Sequence, residues 1–324
     1  MTGKLKIFAV ALVLAGSSAV GSAQETYPSR PIKILVPFSP GSLVDTIARL
    51  YADKLTSRLG QPVVVENRAG AGGLISSQAM LASPANGYTF QMVSSSHAIN
   101  PTLYAARIPY DTRKEISCVS MVANSPTVIA VKPALNVRTV GEFVALVKQK
   151  PGSMNYGSGG VGTAAHLAGE YFKSKTQTDL VHVPFKGVQE AVAEILGGRI
   201  DLAFPPVSIA LPQIRAGKVT GLAVTGAQRS PMLPEVPTAE EAGLKGFEYG
   251  IWYALVASSK TPQAVMERIA REVGAITAQP DVREKLLAQG IQPTDMQLQA
   301  CDRFVEGQIQ ELGALVKASG AKAE

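Results

Sequence analysis

Histidine, cysteine and tryptophan are scarce in this 324-residue chain, with three, two and one respectively, and aromatic residues make up 6%. His97, His166 and His182 are scattered, and no close pair has the spacing of metal ligands, so no metal site is expected. Cys118 and Cys301 lie far apart in sequence, which says nothing of their distance in space. An oxidising compartment would permit a bridge between them; two buried thiols are the alternative. No run of Lys and Arg interleaved with aromatics is present, which argues against a nucleic-acid partner. No G-x-S-x-G elbow occurs, so the commonest serine-hydrolase signature is missing. Past the first residues, no apolar run is long enough for a transmembrane helix.

What is present begins with an export signal. Lys4 and Lys6 precede an apolar run over residues 7–14, and small residues follow to Gly21, Ser22 and Ala23. This is the layout of a secretory signal peptide over residues 1–23, with the mature chain starting near Gln24. The apolar run is too short for a membrane anchor, and no cysteine follows the cut to carry a lipid. Without Lys4 and Lys6 the 31 basic residues become 29 against 25 acids, leaving a charge of about +4. Such a weak, unclustered field favours small anions only slightly.

Roughly 300 residues remain, more than one core usually holds, so two domains are expected. The text alternates strand and helix. A β-branched run at 31–37, a helical apolar face from Leu43 to Leu55, a strand at 62–66, a helix at 74–81 and a strand at 88–93 give β-α-β-α-β order. A second set follows between residues 127 and 224, and after the segment 252–256 the chain reads as mostly helical. The fold class is therefore α/β, with two parallel-rich sheets flanked by helices around a hinged cleft. One lobe takes residues 24–123 with 240–324 and the other residues 124–239, with crossings near 122–124 and 234–243.

In such sheets ligands bind beyond the carboxyl ends of the strands, where helices begin. Two junctions fit. Phe38, Ser39, Pro40, Gly41 and Ser42 precede the helix at Leu43, and Ser158, Gly160, Val161, Gly162 and Thr163 precede the helix carrying His166. Small residues, hydroxyls and free N–H groups at a helix start bind anions. Other readings stand beside this one: Ser42 and Asp45 suit a helix cap, and His166 suits a hydrogen-bonded packing residue. The glycines at 157, 159, 160 and 162 suit turn geometry, although four within six positions favour close approach to a ligand. They also spell G-x-G-x-x-G, but Asp179 stands before the next strand where a ribose-binding acid would close it, so no dinucleotide cofactor is expected. Trp252 and Tyr253 could lie against the cleft or in the core.

Five segments carry a resemblance. They are YPSRPIKILVPFSPGSLVDTIARLYADKL (27–55), GQPVVVENRAGAGG (60–73), NYGSGGVGTAAHLAGEYFK (155–173), VHVPFKG (181–187) and LPEVPTAEEAGLKGFE (233–248). In unbroken order they resemble the periplasmic solute-binding receptors of the tripartite tricarboxylate transporters, the Bug receptors. The resemblance implies a two-lobed, type II-like periplasmic-binding fold without catalysis. It further implies a small mono-, di- or aromatic carboxylate as ligand, membrane transporter subunits as partners, and a monomer in the periplasm. It places residues 38–42 and 158–163 around the ligand, with the strand end at Ser94, Ser95 and Ser96 and the loop after Phe204, at Pro205, completing the cleft. Two departures stand out. Ser42 takes the place of a glycine common in the first loop, and Pro205 and Pro206 stand where many relatives carry an aspartate. Lack of that acid argues against amino-acid ligands. The alternatives are a ligand-sensing subunit for a membrane kinase and, from another class, an exported hydrolase using Ser158 and His166.

Overall fold

The computed structural model describes residues 27–323; the expected signal peptide lies outside the described residues. The chain runs β1 (Ile32–Val36), α1 (Leu43–Leu59), β2 (Val63–Asn67), α2 (Leu74–Leu81), β3 (Thr89–Ser94), α3 (Ser96–Leu103), α4 (Thr112–Glu115) and β4 (Ile116–Pro126). It continues with β5 (Val128–Val131), α5 (Val140–Gln149), β6 (Asn155–Ser158), α6 (Ala164–Thr176), β7 (Val181–Pro184), α7 (Val188–Leu196), β8 (Leu202–Ala203), α8 (Val207–Arg215) and β9 (Thr220–Val224). Last come β10 (Gly250–Ser258), α9 (Gln263–Thr277), α10 (Pro280–Leu287), β11 (Gln292–Gln297) and α11 (Leu298–Ser319).

Two sheets organise these elements. The first has the order β11-β4-β10-β3-β1-β2 and the second β7-β6-β8-β5-β9. β1 pairs in parallel with β2 and β3, and β6 with β7 and β8; β10 and β5 run antiparallel to their neighbours. Both sheets are therefore mixed, where the strand-helix alternation predicted mostly parallel ones. The antiparallel members are the strands that carry the chain between sheets or return it. β4 runs on to Pro126 and β5 starts at Val128, so the first passage falls a few residues beyond 122–124. The chain returns to the first sheet between Val224 and Gly250.

Local chemistry sets the element ends. Ser42 accepts from the Asp45 N–H at 3.3 Å to cap α1, and Gly60, at φ 68°, closes that helix in the left-handed region. Thr139 caps α5 in the same manner, accepting from the Glu142 N–H at 3.1 Å. β1 and β5 are apolar on nearly every residue because helices cover both faces. Cys118 on β4 and Cys301 on α11 form a disulfide with Cα atoms 5.7 Å apart, so the last helix is tied to the first sheet. The end of α11 also reaches the second lobe, where the Ser174 hydroxyl on α6 donates to the Ala318 carbonyl at 3.5 Å.

Candidate functional site

A cavity of about 450 Å3, open space included, lies between the sheets. From the first sheet's side its wall takes Phe38, Ser42, Leu43, Val44, Ser94, Ser96, Ile251 and Tyr253. From the second it takes Gly159, Thr163, Ala164, Ala165, Gly187, Val188, Gln189 and Pro206. None of these described residues is Lys, Arg, Asp, Glu or His. Ser42 caps α1, Thr163 caps α6, and Gly187 and Pro206 stand immediately before α7 and α8. Four helix starts thus point at one uncharged cavity, and each presents N–H groups without intrahelical partners. An anion there would be held by backbone donors and helix dipoles.

The two principal loops are fixed by different chemistry. In the first, buried Asp45 accepts from the Gly41 N–H at 2.9 Å, from Arg49 Nε at 2.9 Å and from Asn67 Nδ2 at 2.8 Å. Asn67 Nδ2 also donates to the Phe38 carbonyl at 2.9 Å, so the loop is braced at both ends. Burial pushes the Asp45 carboxyl up, but its bonds to Arg49, Gly41 and Asn67 outweigh that and hold it below the usual carboxylate range.

The second loop rests on neutral groups. The Ser158 hydroxyl accepts from the Gly160 N–H at 3.0 Å and lies 2.6 Å from His182 Nε2. Thr163 Oγ1 donates to the Gly160 carbonyl at 2.7 Å and accepts from the His166 N–H at 3.3 Å. The His182 ring sits between Tyr156 and His166, with centroids 4.8 and 4.5 Å away. Burial, then the neighbouring His166 and Lys173, push the His182 pKa down to about 3. Burial likewise lowers that of His166.

The lobes also touch directly. The Tyr104 hydroxyl on α3 donates to the Val161 carbonyl at 3.1 Å, and the Ser39 hydroxyl to the Lys186 carbonyl at 3.4 Å. At Gly162, with φ 80°, a Cβ would stand 2.7 Å from the Tyr104 ring and 2.9 Å from Asn100 Oδ1. Only glycine allows this approach.

A model of the family described as "Tripartite tricarboxylate transporter family receptor" matches residues 47–321. The chain belongs to that family. Protein BugT of Bordetella pertussis is 35% identical over 324 residues, covering 99% of each chain. A protein encoded in the tcbD-tcbE intergenic region of Pseudomonas sp. strain P51 is 36% identical over 291 residues, 89% of this chain and 86% of that one. Among solved structures, periplasmic binding protein BugD superposes with a TM-score of 0.87 at 30% identity, over 92% of this chain and 100% of that one. R. palustris Rpa4515 with adipate gives 0.87 at 31% identity, over 91% and 99%. MatC from Rhodopseudomonas palustris with bound malate gives 0.84 at 26%, over 90% and 100%. This receptor therefore has the two-lobed fold of periplasmic binding proteins and a solute-binding role. No helix of its described residues is long and apolar enough to cross a membrane.

Of the residues expected to meet the ligand, this receptor places Phe38, Ser42 and Thr163 on the cavity wall. Ser39, Pro40 and Gly41 lie beyond it, Pro40 and Gly41 exposed and Ser39 engaged with the opposite lobe. Gly160, Val161 and Gly162 are likewise off the wall, in the turn that meets α3. Ser95 is buried, accepting from the Trp252 N–H at 3.0 Å and donating to the Gly250 carbonyl at 3.4 Å. Ser158 and His166 are held in the network beneath the second loop. Pro205 is buried with its carbonyl accepting from Val128 N–H, and its neighbour Pro206 faces the cavity instead. Of the glycines expected to approach a ligand, Gly159 lies on the cavity wall as well as against the Val188 backbone, whereas Gly157 faces the Ala191 side chain. Gly187, Val188 and Gln189 were not foreseen, although they too form a strand-to-helix junction, between β7 and α7.

Proposed function

We propose that this receptor closes on a small carboxylate, mono-, di- or aromatic, and delivers it to the membrane subunits of a tripartite transporter. It acts as an exported periplasmic monomer and does no chemistry on its cargo. The observation that carries this reading is the meeting of four helix starts around a wall without charged side chains. Backbone donors satisfy a carboxylate there without an unpaired cation being buried in the empty state. Adipate and malate in the cited relatives belong to the same chemical class. The lobes, residues 24–123 with 240–324 and residues 124–239, would swing about Thr127 and the returning segment, closing the cleft from both sides.

The Ser158–His182 pair supports a receptor over a hydrolase. Ser158 is fully buried and absent from the cavity wall, and the partner of its hydroxyl is His182, not His166. His182 Nδ1 is buried without a hydrogen-bond partner, so no carboxylate orients the ring, and a pKa near 3 makes it a poor base at neutral pH. A thermal-shift screen of the chain from Gln24 onward tests the reading, using mono-, di- and tricarboxylates, aromatic acids, amino acids and sugars. At a hundred times its Kd, a ligand of the folded state adds about 2.7 kcal/mol. At least one carboxylate should raise Tm. A shift by neutral or cationic solutes alone would overturn the proposal.

A further inference from the structure

The chain passes between the two sheets at two places, and both passages meet at a single hydroxyl. Pro126 and Gly250 are partners on the neighbouring strands β4 and β10. One residue further into the second lobe, Thr127 and Tyr249 part, and Thr225, just past β9, stands between them. The Thr225 N–H donates to the Thr127 carbonyl at 2.9 Å, and the Tyr249 N–H donates to the Thr225 carbonyl at 2.8 Å. Thr225 Oγ1 accepts from the Thr127 N–H at 3.0 Å, pairs with Thr127 Oγ1 at 2.8 Å and donates to the Tyr249 carbonyl at 2.5 Å. The Thr127 carbonyl, at 3.2 Å, is its more distant acceptor. A hydroxyl has one proton and two lone pairs, so the two passages saturate this one. Thr127 and Thr225 are wholly buried, where water does not compete for these bonds.

The surroundings couple this junction to the cavity and leave it room to bend. Thr127 pairs with Pro206, and Ile251 lies two residues past Tyr249; Pro206 and Ile251 both line the cavity. A second groove, about 2760 Å3 with open space included, borders Ser125, Pro126, Gly226, Tyr249 and Gly250 and shares Ile251 with the cavity. Hinge motion is absorbed by a few residues at the ends of elements, which is where Thr127, Thr225 and Tyr249 stand. We propose that Thr225 is a positioning residue for closure: its hydroxyl ties the two passages together so that they bend as one hinge. Without it each passage samples its own backbone angles and the open arrangements multiply. The closed, binding-competent arrangement then becomes a smaller fraction of the whole. This inference rests on the closing of the lobes in the reading above and not on the nature of the cargo, so it is tested without a ligand.

Small-angle X-ray scattering on the ligand-free mature chain provides the test. Thr225→Val, which keeps the shape and removes the hydroxyl, should raise the radius of gyration by about 1 Å over the ~19 Å of a compact chain of this length. Thr225→Ser, which keeps the hydroxyl, should have the wild-type radius. Thr176→Val controls for a merely structural effect: it removes a buried hydroxyl bonded to Phe172 and Thr178 within the second lobe, and should lower Tm without changing the radius. Thr127→Val leaves Thr225 Oγ1 its bonds to the Thr127 N–H and the Tyr249 carbonyl, and should give a smaller rise. That variant decides the matter if Thr225→Val does not fold. A wild-type radius in Thr225→Val, or in Thr127→Val where the first does not fold, overturns the proposal. So does an equal rise in Thr225→Ser or in Thr176→Val. The expected radii with a failed carboxylate screen would overturn the cargo reading alone.

Discussion

The loop ahead of α1 and the loop ahead of α6 perform the same task on opposite lobes with opposite chemistry. The first is organised by an ionised carboxylate, Asp45, whose bonds to Gly41, Arg49 and Asn67 outweigh the cost of its burial. The second is organised by a serine and two histidines that burial keeps neutral. In both, the charge or hydroxyl that shapes the loop lies behind it, and the cavity receives mainly backbone and small side chains. A cleft wall can thus be kept free of charged side chains when each loop has its own support behind it.

The largest expected effect comes from removing the first support. Asp45→Ala should cost about 2 kcal/mol in urea denaturation, because it takes the shared, buried acceptor away from the Gly41 N–H, Asn67 and Arg49. A cost under about 1 kcal/mol would show that the loop holds itself without the carboxylate.

Acid should reach the two loops in sequence. Unfolded histidine takes up a proton near pH 6.5, whereas native His182 resists until about 3. The unfolded state therefore binds more protons across this window, so stability falls as pH drops from 6.5 towards 3 and is flat above 6.5. Asp45 is depressed from 3.8, so its contribution is complete above that value and lost only as pH falls through its lower native pKa. His97, pushed down to about 4 by burial, adds to the slope. His182→Gln should reduce the slope of stability against pH between 4 and 6 by up to about one proton, or 1.4 kcal/mol per pH unit. An unchanged slope would place the proton uptake elsewhere.

Two smaller effects concern the contact between lobes. Gly162→Ala pushes a methyl group towards Tyr104 and Asn100 and strains a left-handed residue, so ligand affinity should fall about tenfold. Tyr104→Phe removes the bond to the Val161 carbonyl and should cost about fivefold in affinity, with little change in the far-ultraviolet spectrum. If both variants bind as the wild type does, closure does not depend on this contact.

Much of the scaffold was readable from periodicity and punctuation. α2 occupies the very residues its apolar pattern suggested, and α1 continues one turn beyond Leu55 to a glycine stop. β4 escaped notice because Ser117, Ser120, Asn124 and Ser125 interrupt its apolar text, although it lies inside the first sheet between β11 and β10. α3 and α8 were hidden by Pro101 and by the Pro205-Pro206 pair. The two helix-start loops were legible because capped helix starts leave a local signature, and Ser42 and Thr163 do cap α1 and α6. The partner of Ser158 was not legible, because its hydroxyl turns to His182, twenty-four residues away, a distance no local pattern spans. The bridge between Cys118 and Cys301 was beyond sequence reasoning for the same reason, being a fact of distance in space.

β10 lies between β3 and β4 in the first sheet, yet it is the tenth strand along the chain. The sheet cannot be continuous until residue 250 has become available, while every strand of the second sheet precedes it in sequence. The second lobe can therefore assemble as an internal insert before the first lobe has its central strand. During synthesis from the amino end, the strands made first are therefore the last to join a complete sheet. The cleft comes into existence only when the carboxyl-terminal third arrives.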